Sequence, residues 1–330
     1  MTFEEALNAR FLLQKEYLGD DKPINRTTPL VSVSVATYQH KNYIRQCLDG
    51  ILMQKTDFPF EVIIGEDGSV DGTQEICMEY AEKYPDKIRL FIRDRALSQF
   101  KDADGTVKRF NGIWNRMSCR GEYIAMCEGD DYWIDPLKLQ KQVDFMELHP
   151  DYGLCYSKAK TYIQKTSSYG RIIGNGKSTF EELLINNSIP TLTTMFRESL
   201  YHNYISEIGW HNEWRMGDYP IWLYCANKMK VHFIDEVMCV YRVLSNSASH
   251  GSYKFMMDFI VDSYKIALFY YDLYKPNIKL QLLHDSYHRE LFSLSFHSKN
   301  KENINKYYQL IYYKSLKDYL KKFLAFVLIH

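Results

Sequence analysis

Glu128-Gly129-Asp130-Asp131 puts three carboxylates within four residues, directly after the apolar run Glu122–Cys127, which reads as a strand. Carboxylates this close repel one another and raise each other's pKa, so a positive partner is expected. A hard divalent cation, Mg²⁺ or Mn²⁺, takes oxygen ligands and commonly binds through one or two carboxylates plus substrate phosphates. The plainer alternative is an acidic turn that caps a helix opening at 136. Asp135 already stands where that cap belongs.

Glu66-Asp67-Gly68-Ser69-Val70-Asp71-Gly72-Thr73 is a second candidate. Its glycines allow a sharp turn after a strand, and Asp71 and Thr73 can cap the helix that follows. Asp67, at the strand's end, is expected to be free to accept a hydrogen bond from a ligand; a base N–H such as the uracil imide suits it.

The elements that must position these loops read as follows. An amphipathic helix covers 2–18, a strand Val31–Ala36, and a helix 40–54 with Tyr43, Cys47, Leu48, Ile51 and Leu52 on one side. A strand at Glu61–Gly65, a helix at 73–83 and strands at Ile88–Ile92 and Glu122–Cys127 come next. This alternation implies right-handed βαβ units and a mainly parallel sheet, whose ligands sit at the carboxyl ends of the strands. The loops at those ends are Thr37-Tyr38, Glu66–Asp71 and Glu128–Asp131. Beyond them we expect a helix at 136–149 with Asp135 as N-cap, a strand at 192–196, a helix at 218–228 and strands over 231–242. From 253 the chain reads as helical, interrupted at Pro276.

Composition narrows the function. Over 330 residues, 41 Lys and Arg balance 41 Asp and Glu, which argues against a nucleic-acid partner. The 46 % of hydrophobic residues supports a folded core. Seven scattered cysteines without a CxxC pair suit a reduced, cytoplasmic protein. The acidic, amphipathic N-terminus does not read as a secretory signal, and no run of about 18 apolar residues stands out as a span. His284 and His288 are four apart, but HDSYH lacks the glutamate of a zinc-protease helix and reads as structural; P-loop, dinucleotide and nucleophile-elbow motifs are absent. From Lys299 to His330 seven lysines face two acids, with apolar residues such as Ile311, Leu316, Leu320, Phe323 and Val327 at helical spacing. That pattern suits an anionic membrane surface, or equally a helix packed on the rest of the protein.

Val33–Gln39, Glu66–Thr73 and Gly121–Asp131, in this order, resemble the family 2 glycosyltransferases, which are inverting, nucleotide-sugar-dependent enzymes of GT-A fold. The likeness runs over roughly 30–245, and GDDYWIDPLKLQKQ is similar to bacterial members that build capsules and O-antigens. The resemblance implies an α/β catalytic domain over 29–250, with a nucleotide-binding half to 135 and an acceptor half from 136, after a lead-in over 1–28 and before a helical region over 251–330. It implies that Ala36, Thr37 and Tyr38 line the base, that Asp67 contacts uracil, and that Asn115 is the polar residue ahead of the metal strand. Glu128 then reaches the ribose or a metal-bound water, Asp130 holds Mn²⁺ or Mg²⁺ with Asp131 supporting it, and Tyr241-Arg242 through Ser247 form a diphosphate-facing loop. Asp218 becomes the candidate catalytic base, although Asp-Tyr-Pro would also open a helix well. Glu213 and Trp214 are candidates for the acceptor, with a core tryptophan and a surface glutamate as the bland reading; Glu213 is also a rival base.

The sequence departs from the family at Ala36, where proline is usual, at Gln39, where asparagine is usual, and at Leu244, where many members have a histidine; His250 is a possible substitute. The implied activity is transfer of a hexose or N-acetylhexosamine from a UDP-sugar to a polyprenyl-diphosphate-linked oligosaccharide, by a protein in the cytoplasm or peripheral on the inner face of the bacterial plasma membrane. The competing readings are a sugar-phosphate nucleotidyltransferase and a non-catalytic sugar-binding assembly protein. The first wants a glycine- and base-rich loop where this chain has Thr37-Tyr-Gln-His; the second leaves the acidic cluster unexplained.

Overall fold

The structure is a computed structural model and describes residues 1–103, 105–211, 213–244 and 252–328. The chain forms two compact units. The first comprises Met1–Gly176, Ser188–Glu213 and Tyr224–Arg242, and the second Lys177–Asn187, Trp214–Leu223 and Val243–His330.

In the first unit the strands are β1 (Val31–Thr37), β2 (Phe60–Glu66), β3 (Ile88–Ile92), the hairpin β4 (Gln99–Lys101) and β5 (Val107–Arg109), β6 (Tyr123–Met126), β7 (Tyr132–Trp133), β8 (Tyr152–Ile163), β9 (Ser168–Ile173), β10 (Met195–Arg197) and β11 (Lys230–Val243). Among the described residues nine of them make one sheet, ordered β3-β2-β1-β6-β10-β8-β11-β7, with β9 on β8. β1 pairs in parallel with β2 and β6, and β2 with β3. The crossovers use α2 (Ile44–Leu52), α3 (Thr73–Lys83) and α4 (Asn111–Met117). In α2, Ile44, Cys47, Leu48 and Ile51 recur at helical spacing and are buried against the sheet core of Val31, Val33, Val35, Val62 and Ile64.

The sheet is mixed rather than mainly parallel. β10 runs antiparallel to β6 and β8, β9 to β8, and β11 to β7. Of the strands after β6, β8 and β9 are joined by a hairpin in which Ser167 adopts a left-handed φ of 50°. The alternating burial of Lys158 to Tyr162 is the antiparallel pattern of a strand with one wetter face.

Several boundaries differ from the sequence expectation, among them α2, expected over 40–54 and observed over Ile44–Leu52. The first helix, α1 (Phe3–Phe11), stops well short of residue 18. The chain after it turns to the sheet edge, where the Tyr17 N–H donates to Leu90 O at 2.7 Å and Glu16 bridges Phe91; this long-range pairing outcompetes local helix propensity. The helix expected from 136 is α5 (Lys138–Leu148). Asp135 accepts from the Leu137 N–H at 2.8 Å in a turn ahead of it, and Gln54, from another segment, accepts the Leu139 N–H at 3.0 Å. The strand expected at 192–196 begins at Met195, because Thr191–Thr193 is a 3₁₀ turn whose Leu192 carbonyl accepts the buried Trp133 Nε1–H at 2.8 Å. α7 (Glu198–Ile208) follows β10, and α8 (Tyr219–Lys228) precedes β11.

The second unit is helical: α6 (Phe180–Ile185), α9 (Tyr253–Tyr274), α10 (Leu280–His297), α11 (Lys301–Leu310) and α12 (Leu316–Leu328). The break at Pro276 occurs as expected, after Lys275 turns left-handed at φ 47°. Tyr219 anchors this unit by donating to Leu183 O at 2.8 Å, with the Tyr287 hydroxyl at 3.1 Å. His284 bonds the Tyr264 hydroxyl and its ring stacks near His288, which agrees with a structural role. Among the described residues no helix is long and apolar enough to cross a membrane.

Candidate active site at the carboxyl ends of three strands

β2, β1 and β6 lie side by side and parallel, so the loops that leave Glu66, Thr37 and Met126 emerge at one end of the sheet. The loops are bonded to one another. Thr37 O accepts the Asp67 N–H at 3.1 Å, and Ala36 O accepts the Gly129 N–H at 3.0 Å. The N–H groups of Gln39, His40 and Lys41 donate to Ser69 Oγ at 2.9 Å, Thr73 Oγ1 at 2.8 Å and Asp71 Oδ2 at 3.1 Å. Gln39 turns the chain with a left-handed φ of 56°, a conformation asparagine tolerates better than glutamine. Asp71 also accepts the Thr73 N–H at 3.0 Å in a turn just ahead of the helix, whose N-cap position falls to Gly72 instead of Asp71 or Thr73.

The acidic turn closes with the Asp131 N–H on Glu128 O at 3.0 Å. Gly129 is pressed against the first loop: a Cβ there would lie 2.6 Å from Thr37 Oγ1 and 2.9 Å from His40 Nδ1. Glu128 and Asp130 are half-buried, whereas Asp131 is buried. Burial, reinforced by the charges of Asp130 and Glu128, pushes the Asp131 carboxyl well above the usual aspartate range. Its Oδ1 accepts the Arg242 backbone N–H at 2.7 Å. Asp131 therefore shapes the turn from within, and Glu128 and Asp130 are the partly open carboxylates.

Arg242 departs from its expected place. Its guanidinium is buried and donates to Asp130 O at 2.7 Å, Gln164 Oε1 at 2.8 Å and Gln46 Oε1 at 2.6 Å, within reach of the Tyr43, Tyr132 and Tyr162 rings. Three protein acceptors occupy it, so it braces the acidic turn rather than standing ready for a diphosphate. Asn115 is likewise internal. Its amide donates to Val35 O at 2.8 Å and accepts from Arg93 Nη1 at 2.6 Å. Gly65 makes room for this layer, because a Cβ there would collide with Arg93, Asn115 and Asn111.

Asp67 is not free. It is buried, paired with Arg95 Nη1 at 2.5 Å and bonded by the Ser98 hydroxyl. Burial pushes its carboxyl upward against the pull of Ser98 and Arg95. The Arg95 guanidinium also covers the Tyr38 ring, 3.2 Å from its centroid. The half-buried His40 is held down in pKa by burial, opposed by the charges of Asp130 and Asp71. His40, Arg95 and Ser98 were not legible as site residues. They come from separate loops, and the one available clue for His40 was its place just after the first strand.

Glu213 is exposed, with its Oε1 2.7 Å from His211 Nδ1. In the second unit, the Trp214 ring packs edge-on against Phe269 with centroids 5.2 Å apart, which favours the core reading. Asp218 stands before α8: its Oδ1 accepts the Tyr219 N–H at 2.8 Å and its carbonyl accepts Ile221 and Trp222. The helix-opening role foreseen for Asp218 is thus present. Ser247 and His250 lie outside the described residues.

Among the described residues no three His, Cys, Asp or Glu side chains converge as a complete ligand set. Glu128 and Asp130 nevertheless offer the hard oxygen donors that suit Mg²⁺ or Mn²⁺, ions which fill their shells with water and substrate phosphates.

Residues 32–101 match the family model described as glycosyl transferase family 2. Over these residues the chain is similar to the family 2 glycosyltransferases. It is 31 % identical over 228 residues to the uncharacterized protein Rv1520 of Mycobacterium tuberculosis, covering 68 % of this chain and 61 % of that protein. The chain thus spans less than two thirds of that relative's length. TuaG of Bacillus subtilis, named for teichuronic acid biosynthesis as a glycosyltransferase, is 28 % identical over 229 residues, 68 % of this chain and 84 % of TuaG. Among solved structures, Staphylococcus aureus TarS 1–349 in complex with UDP-GlcNAc superposes with a TM-score of 0.51 at 16 % identity, covering 91 % of this chain and 90 % of that one. The mannosyltransferase PcManGT of Pyrobaculum calidifontis, in complex with GDP-Man and Mn²⁺, gives 0.51 at 15 % identity, covering 99 % and 91 %. These likenesses establish the GT-A fold.

Proposed function

We propose that this chain transfers a hexose or N-acetylhexosamine, with inversion, from a UDP-sugar to a sugar hydroxyl of a polyprenyl-diphosphate-linked oligosaccharide in surface polysaccharide or O-antigen synthesis. The observation that carries the reading is the bonded trio of loops after β1, β2 and β6, which leaves Asp130 and Glu128 partly open beside Thr37 and His40 while Asp131 is drawn inward. The UDP-GlcNAc and the GDP-Man with Mn²⁺ of the two superposed structures support a nucleotide-sugar donor and a divalent cation.

In this reading Ala36, Thr37, Tyr38 and Asp67 form the base end, and Asp130, with Glu128, holds the cation. When bound, the cation supplies the Lewis acidity that offsets charge on the departing diphosphate. Arg242 and Asp131 keep the acidic turn in register. Asp218 takes the acceptor hydroxyl's proton, a contribution worth roughly 10²–10⁴ in rate for a well-placed base. Glu213 is assigned to acceptor hydroxyls.

The test is calorimetric titration of Mn²⁺ with and without UDP, followed by a panel of nucleotide sugars. We expect Mn²⁺ uptake enhanced by UDP, and its loss together with turnover in Asp130→Ala. Absence of any Mn²⁺ uptake in either condition overturns the reading.

A further inference from the structure

The last helix is built to present an apolar face outward. Ser315 caps α12 through a box with Asp318: the Asp318 N–H donates to Ser315 Oγ at 3.2 Å, and Asp318 Oδ2 accepts the Ser315 N–H at 2.8 Å. Asp318 is buried and takes Arg289 Nε at 3.1 Å. Just upstream, Asp285 accepts the N–H groups of Tyr312 and Tyr313 at 2.8 and 2.7 Å. These bonds set which side of α12 faces inward, and Ala325, on the Asp318 side, is buried with it.

The opposite side carries Leu316, Tyr319, Leu320, Phe323, Phe326 and Val327, all exposed, with Leu316 at 77 %, Phe323 at 63 % and Phe326 at 66 %. At 100° per residue these six share an arc of about 120°. Lys317 lies beyond one edge of the arc and Lys322 beyond the other, with the half-buried Lys321 further toward the inward side. Lys321 and Lys322 reach back to Ser293 and Asn305, so they are held at the flanks of the helix. Leu316, Leu320, Phe323 and Val327, exposed side by side, are unfavourable in water unless something covers them. The seven lysines against two acids between Lys299 and His330 say what: a surface that is apolar inside and anionic at its rim. A second copy would bring the same lysines together, and like charges repel.

We propose that α12 is an in-plane anchor that seats this protein on an anionic phospholipid bilayer, its apolar arc at the acyl boundary and its lysines at the headgroups. A helix of 13 residues, about 20 Å long, lies in the interface and does not span it. The inference deepens the lipid-linked acceptor of the proposed function, since a membrane-bound acceptor is met more often by an enzyme on the same surface, yet vesicle binding is measurable without sugar transfer.

The experiment is co-sedimentation of the full chain with vesicles of equimolar phosphatidylglycerol and phosphatidylcholine, and with phosphatidylcholine alone. We expect binding to the anionic vesicles that weakens with salt, falls about fivefold in Lys317→Ala, and falls tenfold or more in Phe323→Glu with Phe326→Glu. Both variants alter exposed side chains, so circular dichroism and the UDP-dependent thermal shift should match the parent. No binding to anionic vesicles, or binding unchanged in the double variant, overturns the proposal, as does light scattering that shows a dimer dissolved by the same two substitutions. Vesicle binding without any UDP-dependent shift would leave the anchor standing and the transferase reading fallen.

Discussion

The Arg242 backbone N–H lies 2.7 Å from Asp131 Oδ1, and the Arg242 Nε lies 2.7 Å from Asp130 O, so one residue of β11 grips both members of the acidic pair. Arg242→Lys keeps the backbone bond but cannot serve Asp130 O, Gln164 and Gln46 together. It should lower stability by about 1–3 kcal/mol, read as a fall in the urea midpoint, and weaken Mn²⁺ uptake. An unchanged midpoint and unchanged uptake would show that the brace is dispensable.

Gly129→Ala tests the packing of the acidic turn on the first loop. The added Cβ would sit 2.6 Å from Thr37 Oγ1 and 2.7 Å from Thr37 Cβ, and that side chain is short and buried. The turn must shift, at about 1–3 kcal/mol. We expect turnover to drop at least tenfold with the fold retained, checked by steady-state kinetics alongside a melting curve.

Asp218→Asn separates two roles of one side chain. The asparagine Oδ1 can still accept the Tyr219 N–H, so α8 should open normally, but the side chain can no longer take a proton. The expected result is a kcat loss of roughly 10²–10⁴ with UDP binding intact. Near-full turnover removes Asp218 as base and turns attention to Glu213.

Acid should loosen α12 before the sheet. Burial opposes ionisation of Asp285 and Asp318, but bonds from Tyr312, Tyr313 and Gln281 to the first, and from Ser315 and Arg289 to the second, outweigh it and hold both carboxyls below the usual aspartate range. A carboxyl with a lower pKa folded than unfolded stabilises fully above its unfolded value, about 3.9, and loses that contribution as pH falls through its folded value. Amide hydrogen exchange across 312–328 should therefore accelerate, relative to β1 and β2, below about pH 4 once corrected for intrinsic rates. Equal protection of both regions down that range would refute the sign.

The sequence by itself determined the parallel half of the sheet and the three loops that matter. Val31–Thr37, Phe60–Glu66 and Ile88–Ile92 are short apolar runs separated by helices with clear periodicity, and local pattern is enough to specify βαβ units and the end at which their loops gather. It also determined that Glu128 and Asp130 stand in such a loop, because that needs nothing beyond their place after a strand. What each side chain does there was decided by residues distant in the chain. Asp67 meets Arg95 and Ser98, Asn115 meets Arg93, and Asp131 and Arg242 meet each other across more than a hundred positions. The same holds for the antiparallel half, for the early end of α1 and for the cap that Gln54 lends to α5. A buried polar group must find its partner wherever the fold supplies one, and only the closed tertiary structure says which partner that is.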